Sequence, residues 1–183
     1  QIESSRKLGL SASQTMRTAQ RLYEGTDIKG ETTGLITYMR TDSVIMSKEA
    51  INQVRSFVTD NYGANYLPEF PRVYKSKAKN AQEAHECIRP TNIYLTPKDI
   101  KQYITLEEYK LYEIIWQRAV SSQMASAILD QVAVDITNED KKIVLRANGS
   151  TIKFPGMYKV YQEAKDDDKD DEKETILPSM SEG

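Results

Sequence analysis

One cysteine (Cys87) and one histidine (His85) are all that this 183-residue chain holds of either type. A lone thiol excludes an internal disulfide and suits a reducing compartment, where Cys87 reads as a small buried hydrophobe. One His with one Cys supplies no zinc-type ligand set, so no metal site is expected within the chain. No apolar run reaches the roughly 18 residues that would mark a membrane-spanning helix, and no secretory leader is visible. The expected setting is therefore the cytoplasm. Gln1 is not a natural start, and the chain reads as a piece of a longer protein.

Charge of either sign is nearly balanced, at a net −2. The balance hides an asymmetry. Residues 163–174 (EAKDDDKDDEKE) hold eight acids and three lysines, a net of −5, which leaves +3 for the remainder. Such a run reads as a solvated, disordered loop. The mildly basic remainder gives weak support for contact with nucleic acid. Repeats are absent.

The length allows a real core and one domain or one and a half. Ser11 to Gln14 fits a capping box, and Met16, Ala19, Leu22 and Tyr23 recur at helical spacing before Gly25, predicting a helix over 12–24. Its Arg17 and Arg21 sit on a polar face, either solvated or against phosphates. A polar connector over 26–34 follows. Ser47 caps a second helix over 48–62, with Ile51, Val54, Phe57, Val58 and Tyr62 inward. A short helix is expected over 81–87, another from Pro97, and a long one over 106–124. Leu106, Tyr109, Tyr112, Ile115, Trp116, Ala119 and Met124 should form the apolar side of that last helix. Trp116 reads as a core anchor or a base-stacking platform.

After Ser126 the period changes from helical to two. Val132, Val134 and Ile136 alternate, as do Ile143, Leu145 and Ala147, predicting a hairpin. Asn148–Gly149 reads as a further turn into a third strand bearing Ile152 and Phe154, continued by residues 157–161. The fold class is thus α+β: a mainly helical domain over 1–124, then a partial β domain over 125–183 with the acidic loop inside it. Such a partial sheet exposes unpaired edges, so the piece is expected as a monomer or a weak edge-paired dimer.

The helices flank residues 34–43, GLITYMRTDS, an apolar stretch running into a polar turn. On a strand, side chains two apart share a face, so Tyr38 and Arg40 should project together. A phenol beside a guanidinium is suited to attack a phosphodiester while the cation steadies charge on the phosphoryl oxygens. Among 11 tyrosines, half-buried packing is the plain alternative for Tyr38. Residues 72–79 (RVYKSKAK) add Arg72, Lys75, Lys77 and Lys79 around Tyr74, either a solvated loop or a track for a phosphate backbone.

The decapeptide GLITYMRTDS resembles the active-site signature of bacterial type IA DNA topoisomerases. Residues 80–91 (NAQEAHECIRPT) resemble that family's second block in the right order, and residues 5–12 and 153–156 also fit. The resemblance implies that Tyr38 attacks one DNA strand and becomes joined to its 5′-phosphate, with Arg40 on the same phosphate. It places His85 near that tyrosine, where it would bind phosphate, relay a proton or serve structure alone. Arg89 would reach DNA or pair with Glu83 or Glu86. Cys87 stands where the family usually has alanine, a small-for-small departure. The resemblance further implies a Mg²⁺-dependent isomerase that relaxes negative supercoils without ATP in the bacterial nucleoid. Its acid–base carboxylate and Mg²⁺ ligands lie on a preceding toprim domain, so this chain alone is expected to be inactive. Residues from 125 onward would belong to the arch that carries the tyrosine domain.

Two other function classes fit the composition. One is a binding module that holds single-stranded DNA without chemistry. The other is an interaction piece whose acidic run meets a partner.

Overall fold

Four helix starts are written in side-chain oxygens. In the computed structural model, which describes residues 1–75, 85–137, 142 and 144–161, Ser11 accepts the Gln14 N–H and Gln14 reaches back to the Ser11 N–H. This opens α2 (Ala12–Glu24), after a first short helix α1 (Ile2–Leu8) that Gly9 ends in the left-handed region at φ 67°. Ser47 caps α3 (Lys48–Tyr62). Thr96 with Asp99 opens α4 (Pro97–Ile100), and Thr105 with Glu108 opens α5 (Leu106–Ser122). These caps satisfy amides that a helix start would otherwise leave unpaired.

The helices pack around one core of Leu22, Leu35, Ile36, Val58, Ile100, Tyr112, Val120 and Met124, each at most 2 % exposed. Trp116 is an anchor of that core. Its indole N–H donates to the Ile93 carbonyl at 2.9 Å and its ring meets Phe57 edge-on at 5.4 Å. Tyr112 is held likewise, donating to the Leu95 carbonyl. Leu106 departs from the expected apolar side of α5 and is 64 % exposed. It is the first residue after the cap, before the helix has turned its inner face to the core. Leu111 and Ile114 are buried instead.

Arg21 of α2 is occupied structurally. Its guanidinium pairs with Glu108 at 2.6 Å and Glu107 at 3.5 Å, joining α2 to α5. Burial works to raise the Glu108 pKa, but the Thr105 backbone N–H, Arg21 and the Thr105 hydroxyl outweigh it and hold the carboxyl below its ordinary value. A depressed folded-state pKa contributes stability above the unfolded carboxylate value of about 4.3, and that stability is lost as pH falls through the folded one. Urea midpoints should accordingly drop between pH 5 and about 3, and Glu108→Gln should show a smaller drop. Equal acid sensitivity in the variant would remove Glu108 from the account.

Two antiparallel ribbons complete the described fold. β1 (Thr26–Ile28) and β2 (Glu31–Thr33) form a small hairpin inside the expected connector, turning at Lys29 and Gly30 with φ 58° and 89°. β3 (Ile128–Thr137) pairs with β4 (Val144–Phe154) in a long ribbon with a register shift at Ile128/Leu129. Asn148–Gly149 is no turn: it lies inside β4, with Gly149 opposite Val132. Residues 157–161 are not strand. Gly156–Lys159 form a 3₁₀ turn, and the chain returns to the helical body there. Tyr161, 3 % exposed, donates to Glu3 of α1 at 2.5 Å and accepts from Arg118 of α5 at 2.8 Å. Burial and the Glu3 carboxylate push its pKa up to about 12. The expected helix over 81–87 lies mostly outside the described residues; 85–87 are irregular. The acidic run at 163–174 lies wholly outside them.

Candidate active site

Residues 34–39 run through the middle of the core rather than along a sheet. Leu35, Ile36 and Met39 are 1 %, 1 % and 3 % exposed, yet Tyr38 between them is 37 % exposed and Arg40 is exposed beside it. Alternation thus survives without a regular strand. Among the described residues a single bridge forms there, Ile36 opposite Pro90, with its hydrogen bonds made by the residues on either side of that pair.

That bridge brings the two sequence blocks together. The Thr37 N–H donates to the Arg89 carbonyl at 2.9 Å, and the Thr91 N–H to Leu35 at 3.0 Å. The Thr37 hydroxyl donates to the Cys87 carbonyl at 2.8 Å and the Thr91 hydroxyl to Gly34 at 2.7 Å. The Cys87 N–H donates to Ile45 at 2.8 Å, closing the loop after Arg40. Side chains on the second block are thereby fixed relative to Tyr38. The His85 ring lies 5.8 Å from the Tyr38 ring, tilted by 42°.

A third ring, which sequence reasoning assigned to the apolar face of α2, completes the group. Tyr23 meets Tyr38 edge-on at 5.3 Å and 67°. Its helical spacing gave no sign of this, because Leu22 next to it takes the core position. Tyr38 therefore has both Tyr23 and His85 as ring neighbours.

The remaining candidates divide by what they touch. Among the described residues Arg40 has no ion-pair partner. Arg89 pairs with Glu86 at 2.6 Å and donates to the Pro90 carbonyl, choosing the ion pair. Arg72 exchanges both backbone hydrogen bonds with the Gln123 amide, and its guanidinium donates to Ser126 at 2.7 Å. Tyr74 donates to the Ser122 carbonyl and Lys75 is exposed. Lys77 and Lys79 lie outside the described residues. Cys87 is half-buried, and burial pushes its thiol pKa up, away from reactive thiolate. No group of three or more His, Cys, Asp or Glu that could hold a metal ion forms among the described residues. Nor is any described helix long and apolar enough to cross a membrane.

An exposed tyrosine on a buried segment thus has a histidine ring beside it and an exposed arginine two residues on. The family model described as DNA topoisomerase matches residues 1–183, and the chain belongs to that family. Within it the similarity is to bacterial type IA enzymes. DNA topoisomerase 1 of Rickettsia felis is 53 % identical over 178 residues, covering 97 % of this chain and 23 % of that protein. The Xylella fastidiosa DNA topoisomerase 1 is 47 % identical over 186 residues, covering 100 % of this chain and 23 % of the relative. The solved full-length topoisomerase I from Thermotoga maritima superposes with a TM-score of 0.77 at 33 % identity, across 100 % of this chain and 28 % of its own. The chain spans about a quarter of the length of the curated relatives it matches.

Proposed function

We propose that this chain is the nucleophile-bearing segment of a topoisomerase that cuts one DNA strand through a 5′-phosphotyrosine, passes a strand and religates. The Tyr38 oxygen attacks the phosphorus, the bond from phosphorus to the 3′-oxygen breaks, and that oxygen leaves as the 3′-hydroxyl after taking up a proton. The phenolic proton goes to a base on another part of the parent. The phosphotyrosine keeps the energy of the broken linkage, so reattack by the 3′-hydroxyl needs no ATP and negative supercoils relax. Arg40 balances charge on the phosphoryl oxygens, and His85 is a second polar group beside the Tyr38 ring. The observation that carries this reading is the 37 % exposure of Tyr38 on a segment otherwise sealed in the core. A packing tyrosine at that point would be buried with its neighbours.

Single-stranded DNA is the substrate in this reading, and the toprim domain of the same parent is the partner. The parent's metal, Mg²⁺, belongs to that domain. The residues described here do not fit a metal ion, and no step above passes through one. The tyrosine-bearing domain comprises residues 1–124 together with the returning turn at 155–161. β3 and β4 form the root of the arch that carries it. Lys75, Lys77 and Lys79 are further DNA contacts in this reading, whereas Arg72 and Arg89 are engaged within the fold.

The isolated chain, incubated with a single-stranded oligonucleotide and Mg²⁺, should bind weakly and form no covalent adduct. Adding the missing toprim-bearing part in trans should restore the adduct. Cleavage by the chain alone would overturn this division of labour. A restored adduct that survives Tyr38→Phe would overturn the nucleophile assignment.

A further inference from the structure

Tyr23 has no role in the chemistry above, and packing does not explain it. It is 41 % exposed, while its neighbours on α2, Leu22 and Ala19, are 2 % and 5 % exposed and fill the core. Among the described residues its hydroxyl has no hydrogen-bond partner and its one ring contact is Tyr38.

We propose that Tyr23 is a positioning residue, whose ring edge holds the Tyr38 phenol in the orientation that presents its oxygen to a phosphate; the proposal rests on Tyr38 being the nucleophile. The geometry comes from two close backbone approaches. The Leu35 N–H donates to the Leu22 carbonyl at 2.8 Å. A Cβ placed on Gly34 would lie 2.8 Å from the Tyr23 carbonyl oxygen, so only glycine lets the nucleophile segment start against the last turn of α2. The other end of the β1–β2 excursion closes as tightly: a Cβ on Gly25 would lie 3.0 Å from the Thr33 backbone. The hairpin is thus an excursion that returns the chain to where it left. Tyr23 and Tyr38 are held together by this closure, not by the flexible length of chain between them.

With its backbone fixed by Thr37 and by buried Ile36 and Met39, the Tyr38 side chain keeps only its own torsions. Those torsions are what two flanking rings restrain. An edge-to-face contact favours the negative face of one ring against the positive edge of the other, so it restrains angle as well as distance. The His85 ring is the second neighbour of Tyr38, at 5.8 Å. Tyr23 sits on a helix with a capped start. Positioning of this kind acts on the rate of the chemical step at saturating DNA, not on affinity.

The test is made in the full-length parent enzyme, with Tyr23→Leu, Tyr23→Phe and the control Tyr38→Phe. Single-turnover adduct formation at saturating oligonucleotide should fall about 3- to 10-fold in Tyr23→Leu, the scale of one lost aromatic pair. Its DNA dissociation constant and melting temperature should stay near the parent values, and Tyr23→Phe should restore the rate because the ring edge remains. With 3-fluorotyrosine at position 38, the ring-current shift imposed by Tyr23 should vanish in Tyr23→Leu and persist in Tyr23→Phe. This readout needs no activity. An unchanged rate in Tyr23→Leu, a Tyr23→Phe as slow as Tyr23→Leu, or a loss of affinity alone would overturn the proposal. An adduct persisting in Tyr38→Phe would instead remove the nucleophile reading on which it rests.

Discussion

Tyr38→Phe in the full-length parent is expected to abolish covalent attachment to DNA and supercoil relaxation while leaving single-strand binding and thermal stability intact. The phenyl ring keeps its contacts with Tyr23 at 5.3 Å and His85 at 5.8 Å, so the wall of the site stays in place. No hydrogen bond of the Tyr38 hydroxyl contributes to the fold among the described residues, so removing that oxygen leaves no buried group unpaired. What disappears is the attacking atom. Loss of a nucleophile costs on the order of 10⁶ in turnover in a well-studied hydrolase, because the groups around it act as a unit. Adduct yield on a labelled oligonucleotide, paired with anisotropy titrations, separates the two effects. A variant that lost binding as severely as cleavage would make Tyr38 a DNA contact and not a reacting group.

Arg40→Ala is expected to be the next largest effect, a fall of about 10²–10³ in cleavage rate, or about 2.7–4 kcal/mol of transition-state stabilisation. The reasoning is comparative. Arg21 is spent on Glu107 and Glu108, Arg72 on Ser126 and the Gln123 amide, and Arg89 on Glu86. Arg40 is exposed two residues after Tyr38, the proposed nucleophile, and pairs with none of the described acids. A fixed cation at a developing charge contributes more in the transition state than in the bound ground state. The rate at saturating DNA should therefore fall further than affinity does. Arg40→Lys should recover only part of the loss, since an ammonium cannot present the planar fork of a guanidinium. Equal losses in binding and rate would reduce Arg40 to a phosphate anchor.

How far these conclusions were legible in the sequence depends on the element. Helices α2, α3 and α5 follow from local signals that act within one turn: a Ser or Thr cap, a partner three residues on, and an apolar stripe. Helix α1 carries no side-chain cap at Gln1 and spans seven residues, too few for a periodic signal. The β1–β2 hairpin turns on Lys29 in a left-handed conformation, held by the Asp27 carboxylate accepting from the Gly30 N–H at 2.7 Å. Three-residue strands give alternation nothing to display. Asn148–Gly149 misleads for the opposite reason, because the dipeptide favours a turn in isolation. Ten paired residues of β3, with Ile136 opposite Leu145 and Val134 opposite Ala147, fix the register and carry Gly149 through as strand.

The candidate site was legible in its parts more than in its assembly. The motif blocks named Tyr38, Arg40 and His85, but spacing alone does not show that residues 34–37 and 87–91 lie edge to edge. That follows from Thr37 and Thr91 bonding across Pro90. The apolar stretch before Tyr38 pairs through a single bridge at Ile36 and forms no regular strand, while the outward direction of Tyr38 and Arg40 survives because Met39 between them is drawn into the core. Tyr23 escaped notice because a residue beside a buried helix position reads as packing until its neighbour in space is known.

The central claim is that the Tyr38 oxygen forms the bond to DNA. It is tested most directly by trapping the covalent complex of the full-length enzyme, digesting DNA and protein, and locating the nucleotide remnant by mass spectrometry. The tryptic peptide of residues 30–40, GETTGLITYMR, should carry a 5′-nucleotide phosphate on Tyr38. A remnant on any other residue, or strand cleavage with no remnant on the protein, would contradict the account.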